Sequence, residues 1–284
     1  MMNQILMKSN TVIKLIIFMA IFTSCSTSEK LFHTVKSEEF AAQPLYKESI
    51  LSKTETAHLP ICVQKYIEYT GAIGKPIPQN MFVEFDAEMF RKPNDKPMKS
   101  HSVQYNFFNN YTRLFLMNAS KMGIKFRALH IYKNMQASFQ VKVAELFKVV
   151  DIKGEELTTA ETVTLLNDIC IFAPGSLIDK RFTWSAVDAL TAKVSLNNGN
   201  YHVSAMLYFN EKGELINFIS DDRSALQKDG TMKKVRWSTP VSDYKEIDGR
   251  KIPAKGKTIW HYPEGDFTYG IFELKNIRYN LQNK

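Results

Sequence analysis

From Met81 onward the chain alternates with a period of two. Val83, Phe85, Ala87 and Met89 fall on one side of an extended backbone, and Glu84, Asp86 and Glu88 on the other. That is the pattern of a half-buried strand. Further strand-like runs follow at 102–108, 113–117, 125–132 and 137–150, and Phe126, Ala128, His130 and Tyr132 share one face. The last run is too long for one straight strand, so a bend or break is expected near Ala144. The C-terminal part repeats the pattern at 182–185, 191–196, 201–209, 214–220, 233–238, 241–247, 250–253, 257–262 and 267–279. Asn198-Gly199, Asp229-Gly230 and Asp248-Gly249 punctuate it, and Asn-Gly is a hairpin signal because a type I′ turn needs positive φ at both central residues.

Two stretches break this rhythm with a helical period. Leu59-Pro60 opens the first, in which Ile61, Cys62, Tyr66, Ile67 and Tyr69 recur at helical spacing until Gly71,. In the second, Thr158 and Glu161 match a capping box, Val163, Leu166, Ile169 and Cys170 form the apolar stripe, and Pro174-Gly175 stops the helix, with a short turn over 176–180. Helices at only two places exclude repeated βαβ units. About eleven strands are therefore expected in one antiparallel sheet. The predicted class is α+β, mostly β: a large curved sheet, an incomplete barrel, with both helices on its concave face. Two helices are little cover for such a sheet. The uncovered part would be an apolar groove near Val83, Phe85, Trp184, Trp237 and Trp260, of the kind that takes an acyl chain, unless side chains fill it.

The first 25 residues follow another logic. Lys8 and Lys14 precede or begin an unbroken apolar run, 15–22, with no acidic residue before Glu29, and Thr23-Ser24-Cys25 follows. A charged start, a short apolar stretch and small residues describe a secretory signal. The run is too short to cross a bilayer, which needs about 20 residues. The small-small-Cys ending resembles a bacterial lipobox, which makes Cys25 the expected site of lipidation and the first mature residue. The expected organisation is a signal peptide over 1–24, a lipidated tether over 25–57 and one domain over 58–284. The protein is expected in the cell envelope, on the periplasmic face of an outer membrane, with that membrane as its partner through the anchor.

Composition narrows the rest. The net charge of +8 is spread along the chain, and about +6 stays with the mature part,. A basic surface favours anionic headgroups. No nucleic-acid motif appears, and nucleic acid is not an expected partner. Beyond Cys25 only Cys62 and Cys170 remain. Export permits a disulfide between them, although both sit in apolar helical stretches where a free cysteine behaves as a small hydrophobe. Gly-x-Ser-x-Gly, zincin helices and glycine-rich phosphate loops are absent, and the six histidines are scattered singly,. No catalytic, metal or cofactor site is expected, and the protein is expected not to be an enzyme.

A resemblance covers most of 55–281. Leu59-Pro60-Ile61-Cys62-Val63-Gln64-Lys65-Tyr66-Ile67 with Gly71, then Phe172-Ala173-Pro174-Gly175-Ser176-Leu177, Phe182-Thr183-Trp184, Leu207-Tyr208-Phe209-Asn210-Glu211-Lys212-Gly213, Val235-Arg236-Trp237, Gly249-Arg250-Lys251-Ile252-Pro253 and Thr258-Ile259-Trp260 resemble the uncharacterised bacterial DUF6544 (DUF6920-like) family. The chain departs from that pattern at Asn167-Asp168, where a glutamate is usual, and over 101–150. The run Tyr208 to Leu215 also resembles the LolA/LolB-like lipoprotein carriers. That resemblance implies an incomplete antiparallel barrel lidded by helices around an apolar cavity, and no catalytic residues. Two functions follow as expectations: a noncatalytic binder of lipid or another apolar ligand, or a structural envelope lipoprotein with a filled core. Arg223 is the residue to watch. It lies one strand from Trp237, so it can stack on that indole, meet a ligand headgroup, or pair with Asp221, Asp222 or Asp243.

Overall fold

The computed structural model describes residues 27–44, 47–227 and 229–282. The signal peptide and Cys25 lie outside the described residues. The first element is a helix, α1 (Ser28–Ala42), capped by Thr27, whose hydroxyl accepts from the Lys30 amide at 3.1 Å. The second, α2 (Ile61–Tyr69), begins directly after Pro60 and is followed by Gly71, whose φ of 67° suits a residue without Cβ,.

Six strands then run back and forth: β1 (Asn80–Met89), β2 (Met98–Phe107), β3 (Thr112–Lys121), β4 (Ile124–Lys133), β5 (Gln136–Val143) and β6 (Phe147–Lys153). The expected break at Ala144 is present, since Ala144 and Glu145 both have positive φ and separate β5 from β6. The long helix α3 (Glu155–Phe172) crosses next. Ten strands finish the chain: β7 (Phe182–Ala186), β8 (Thr191–Asn198), β9 (Tyr201–Phe209), β10 (Leu215–Ser220), β11 (Ser224–Leu226), β12 (Met232–Lys234), β13 (Arg236–Ser238), β14 (Val241–Ile247), β15 (Arg250–Tyr262) and β16 (Gly265–Tyr279).

Fourteen strands form one antiparallel sheet in the order β6-β5-β4-β3-β2-β1-β16-β15-β13-β10-β9-β8-β7, with β14 paired to β15, while β11 and β12 form a separate ribbon. The class is α+β, mostly β, and the sheet is not closed. It wraps α3, which touches β4, β5 and β6 on one limb and β9, β10 and β15 on the other, with β11 of the ribbon beside it. The limbs meet where Asn198 Nδ2, at the end of β8, donates to Tyr132 Oη on β4 at 2.8 Å. Fourteen residues of α3 are buried, on all sides of the helix.

Several expectations need correction. The sheet has fourteen strands where about eleven were expected: the run 137–150 divides into β5 and β6, 250–262 is one continuous strand, and β11 and β12 lie outside the sheet in their own ribbon. The stretch read as a polar tether holds α1. That helix packs on the outer face of β2–β4, with Phe32 and Val35 set against Phe107, Leu114, Leu116 and Leu129. Both expected helices pack on the inner face: Tyr66 of α2 donates its Oη to the Cys170 carbonyl of α3 at 2.8 Å, with its ring 5.5 Å from that of Phe209 on β9, and α3 is the helix that the sheet wraps. The capping box is absent, since α3 starts at Glu155. There Thr158 Oγ1 donates to the Gly154 carbonyl and accepts from the Ala137 amide, and Glu161 pairs with sheet residues. The hairpin after β8 turns on Gly199-Asn200 with positive φ at Gly199 alone, the type II′ requirement,. Cys62 and Cys170 are buried, free thiols, and burial raises both pKa values.

Candidate functional site: the inner face of the sheet

Strand alternation lays the inner face out in rows. The deepest, Asn106–Arg113–Tyr132–Ala137, lies beneath α3. Val83–Gln104–Phe115–His130–Phe139 comes next, followed by Phe85–Ser102–Met117–Ala128–Val141. Phe85 still reaches the end of α3, with its ring 5.5 Å from that of Phe172. The outermost row is Phe272–Ala87–Ser100–Ala119–Phe126–Val143. Its middle is built of small side chains and its ends of large apolar ones. Phe126, Ala128, Val141, Val143 and Phe272 are only half-buried, whereas the rows under α3 are packed.

A polar network joins the deep rows to α3. Glu161 and Asp168 are two helical turns apart and face the same way. Arg113 Nε donates to Asp168 Oδ2 at 2.6 Å, its Nη1 to Glu161 Oε2 at 3.2 Å and its Nη2 to Gln104 Oε1 at 3.1 Å. Gln104 and Asn106 add amide donors to Asp168 at 2.8 and 3.2 Å. His130 Nδ1 lies 3.4 Å from Glu161 Oε1, with its ring stacked on Phe139 at 3.9 Å.

The two carboxylates differ in their company. Burial opposes ionisation of Glu161, but His130, Arg113 and Arg223 outweigh it and hold its pKa at about 2,. Burial wins at Asp168, despite Arg113 and its amide donors, and raises its pKa. Glu161 is thus flanked by two guanidiniums and an imidazole, and Asp168 by one guanidinium. Among the described residues, no group of three or more His, Cys, Asp and Glu is arranged to hold a metal ion.

Arg223 completes the cluster from the opposite limb. Its guanidinium lies over Trp237 at 4.4 Å and Trp260 at 5.0 Å. Nε donates to Thr164 Oγ1 at 3.1 Å and Nη1 to Tyr269 Oη at 3.3 Å, and Nη2 is 3.7 Å from Glu161. Trp237 Nε1 also donates to Tyr269 Oη at 3.1 Å. The stack on Trp237 is therefore present, and the three nearby aspartates are engaged elsewhere. Asp221 pairs with Arg236, Asp222 accepts from the Ser204 amide, and Asp243 pairs with Lys255. A carboxylate remote in sequence took their place.

Of the other residues expected around a groove, Trp237 and Trp260 meet with ring centroids 6.4 Å apart and Phe85 lies 5.8 Å from Phe272, while Trp184 stands apart. Val83, Phe85, Trp237 and Trp260 are core residues, each less than a tenth exposed. Trp184 is on the edge strand β7, where its Nε1 donates to the Leu177 carbonyl at 3.3 Å. A cavity of about 1400 Å³ is lined by Ala87, Ser100, Ala119, Phe126 and Phe272 of the outermost inner row together with the alternate, polar residues of the same strands, Asp86, Lys99 and Asn118 among them. Arg113, Glu161 and Asp168 were not singled out from sequence. The available signal was two carboxylates seven residues apart in an otherwise apolar helix.

A half-open antiparallel sheet wrapped around one buried helix, with a charged network between them, defines the architecture. The chain belongs to the DUF6544 family, a family of unknown function, whose profile matches residues 49–272. Its structure is similar to a DUF1329 family protein from Desulfovibrio piger, at 12% identity and a TM-score of 0.43, covering 78% of this chain and 93% of that one. It is also similar to a LolA superfamily protein from Nitrosomonas europaea, at 8% identity and a TM-score of 0.43, covering 79% and 96%. No curated protein matches the sequence.

Proposed function

We propose that this protein is a noncatalytic envelope lipoprotein, anchored through Cys25 on the periplasmic face of an outer membrane, that binds lipid or another apolar ligand on the inner face of its sheet. The observation carrying this reading is the outermost inner row. Ala87, Ser100 and Ala119 form a low floor between Phe272 on one side and Phe126 and Val143 on the other. Half-buried apolar walls around a shallow floor suit an acyl chain. His130, two rows further in, and Arg223, which shares Glu161 with it, have side chains 20% and 12% exposed, and they are the cations an anionic headgroup lying past that floor would meet.

Native mass spectrometry of protein purified without detergent tests the proposal. A co-purifying lipid, with fluorescent fatty-acid uptake that Ala119→Phe abolishes, is the expected result. A clean apo mass with no uptake overturns it. One observation favours the runner-up, a structural lipoprotein with a filled core. Arg223 already has a full set of partners, so a ligand headgroup would have to displace one of them.

A further inference from the structure

Of the eleven large apolar side chains exposed among the described residues, five lie within 122–125 and 144–149. They are Met122 (94% exposed), Ile124 (50%), Leu146 (71%), Phe147 (68%) and Val149 (58%). All belong to two hairpin tips, β3–β4 and β5–β6, tied together by the Ala144 amide donating to the Lys125 carbonyl at 2.9 Å. The tip between β1 and β2 lies at the same end of the sheet, because β1 to β6 are consecutive neighbours of alternating direction. Across residues 90–97, 121–125 and 144–149 there are six lysines and arginines and two acidic residues. Scattered exposed apolar residues need no explanation, but a cluster with a basic rim marks an interaction surface.

The start of α1 fixes where this surface lies. The Ser28 amide donates to Glu145 Oε2 at 3.0 Å, and Arg127 Nη1 is 3.1 Å from both Glu29 and Glu145. The described chain therefore begins against the β5–β6 tip. Cys25 is three residues upstream, which is at most about 11 Å of extended backbone.

We propose that these three hairpin tips form a membrane-docking surface, with Met122, Leu146 and Phe147 entering the interface of a bilayer whose anionic headgroups meet the surrounding lysines and arginines. A lipid anchor alone leaves the body free to tumble at the end of its tether, and a basic and apolar contact beside the anchor holds it against the bilayer. The basic residues draw the surface to anionic lipid, and the apolar tips fix its orientation. The proposal rests on the Cys25 anchor only for the distance argument, since the apolar cluster and its basic rim stand without it.

The test uses the protein isolated from membranes and reconstituted in phosphatidylethanolamine–phosphatidylglycerol vesicles. A polarity-sensitive fluorophore is placed by Phe147→Cys or Met122→Cys and, as controls on other exposed apolar positions, by Val187→Cys or Ile216→Cys. All four residues are surface-exposed, so folding is not at risk. Lipid-borne nitroxide is expected to quench the first two at least about threefold more than the controls, with the difference shrinking on neutral phosphatidylcholine vesicles. Equal quenching at 147 and 187 overturns the proposal. So does a concentration-dependent dimer that alone shields Phe147, which would assign the patch to pairing of copies through edge strand β6. Intact mass of the same sample reports acylation of Cys25 separately. Quenching at 147 without an acyl mass keeps the docking surface and removes the anchor, and the reverse result removes the docking surface alone.

Discussion

The sheet carries α1 on its outer face and α2 and α3 on its inner face, and α1 and α3 are held by different means. On the inner face α3 is buried on every side and keyed to the sheet by Arg113 between Asp168 and Glu161. On the outer face α1 buries only Ser28, Phe32, Val35 and Glu39 and is held by a small apolar cluster, with Lys133 bridging Glu38 and Glu39 at 2.9 and 3.0 Å. Buried ion pairs are costly to disrupt because the surviving charge stays buried, whereas exposed pairs contribute little. The inner helix should therefore be part of the cooperative core, and the outer one a separable layer.

The sharpest way to break this contrast is Arg113→Met. It leaves two carboxylates buried without their main cation and is expected to lower stability by about 3–5 kcal/mol in urea unfolding. Adding Glu161→Gln and Asp168→Asn should recover most of the loss, and a triple variant as unstable as the single would show that shape, not charge, is at issue. On the outer face Phe32→Ala is expected to cost about 3 kcal/mol locally. Hydrogen exchange should quicken across 28–42 while amides of α3 keep their protection, and equal quickening in both helices would refute the layered picture.

Acid should act on the inner helix. The folded-state pKa of Glu161 is depressed to about 2 from 4.5. Its stabilising contribution is thus full above the unfolded value and fades as pH falls from about 4.5 toward 2. Asp168, whose pKa is raised, acts with the opposite sign, since its contribution weakens as pH rises from the unfolded value through the folded one. The contribution of Glu161 alone is on the order of 3 kcal/mol, and Asp168 offsets part of it. The gap in urea midpoint between the parent and Glu161→Gln should narrow steadily below pH 4.5, and a gap constant to pH 2.5 would contradict the assignment. Smallest is Thr27→Ala, which removes the cap of α1 and is expected to cost about 1 kcal/mol, read as faster exchange at the first turn of α1 alone.

The same contrast explains what the sequence made legible. Alternation in 81–132 placed β1 to β4 because each of those strands has one face on apolar neighbours and one on water or on α1. The break at Ala144 showed as a run too long to stay straight. The Arg223–Trp237 approach followed from strand adjacency. By contrast α1 was hidden, because a helix that buries two or three apolar residues on a sheet leaves a mostly polar sequence. The start of α3 was misplaced because Thr158 and Glu161 make the sequence of a capping box while serving the sheet instead. The charged network was missed because its members come from β2, β3, β4, α3 and the segment after β10, and spacing along one element cannot reveal a meeting of five.

The strand order carries a consequence for how the chain assembles. β1 to β6 form one local meander and β7 to β16 another, and the two are joined in the middle of the sheet by β1 lying against β16. In that seam Met81 sits opposite Tyr279, so the link that unites the halves joins residues about 200 positions apart in the chain. Such a distant contact is slow to form. Until the last strand emerges, each half has an open edge and α3 lacks part of its surroundings. A polypeptide built this way stays loose for as long as it is being made, which is the state a chain must be in if it is to be threaded through a membrane and folded on the far side.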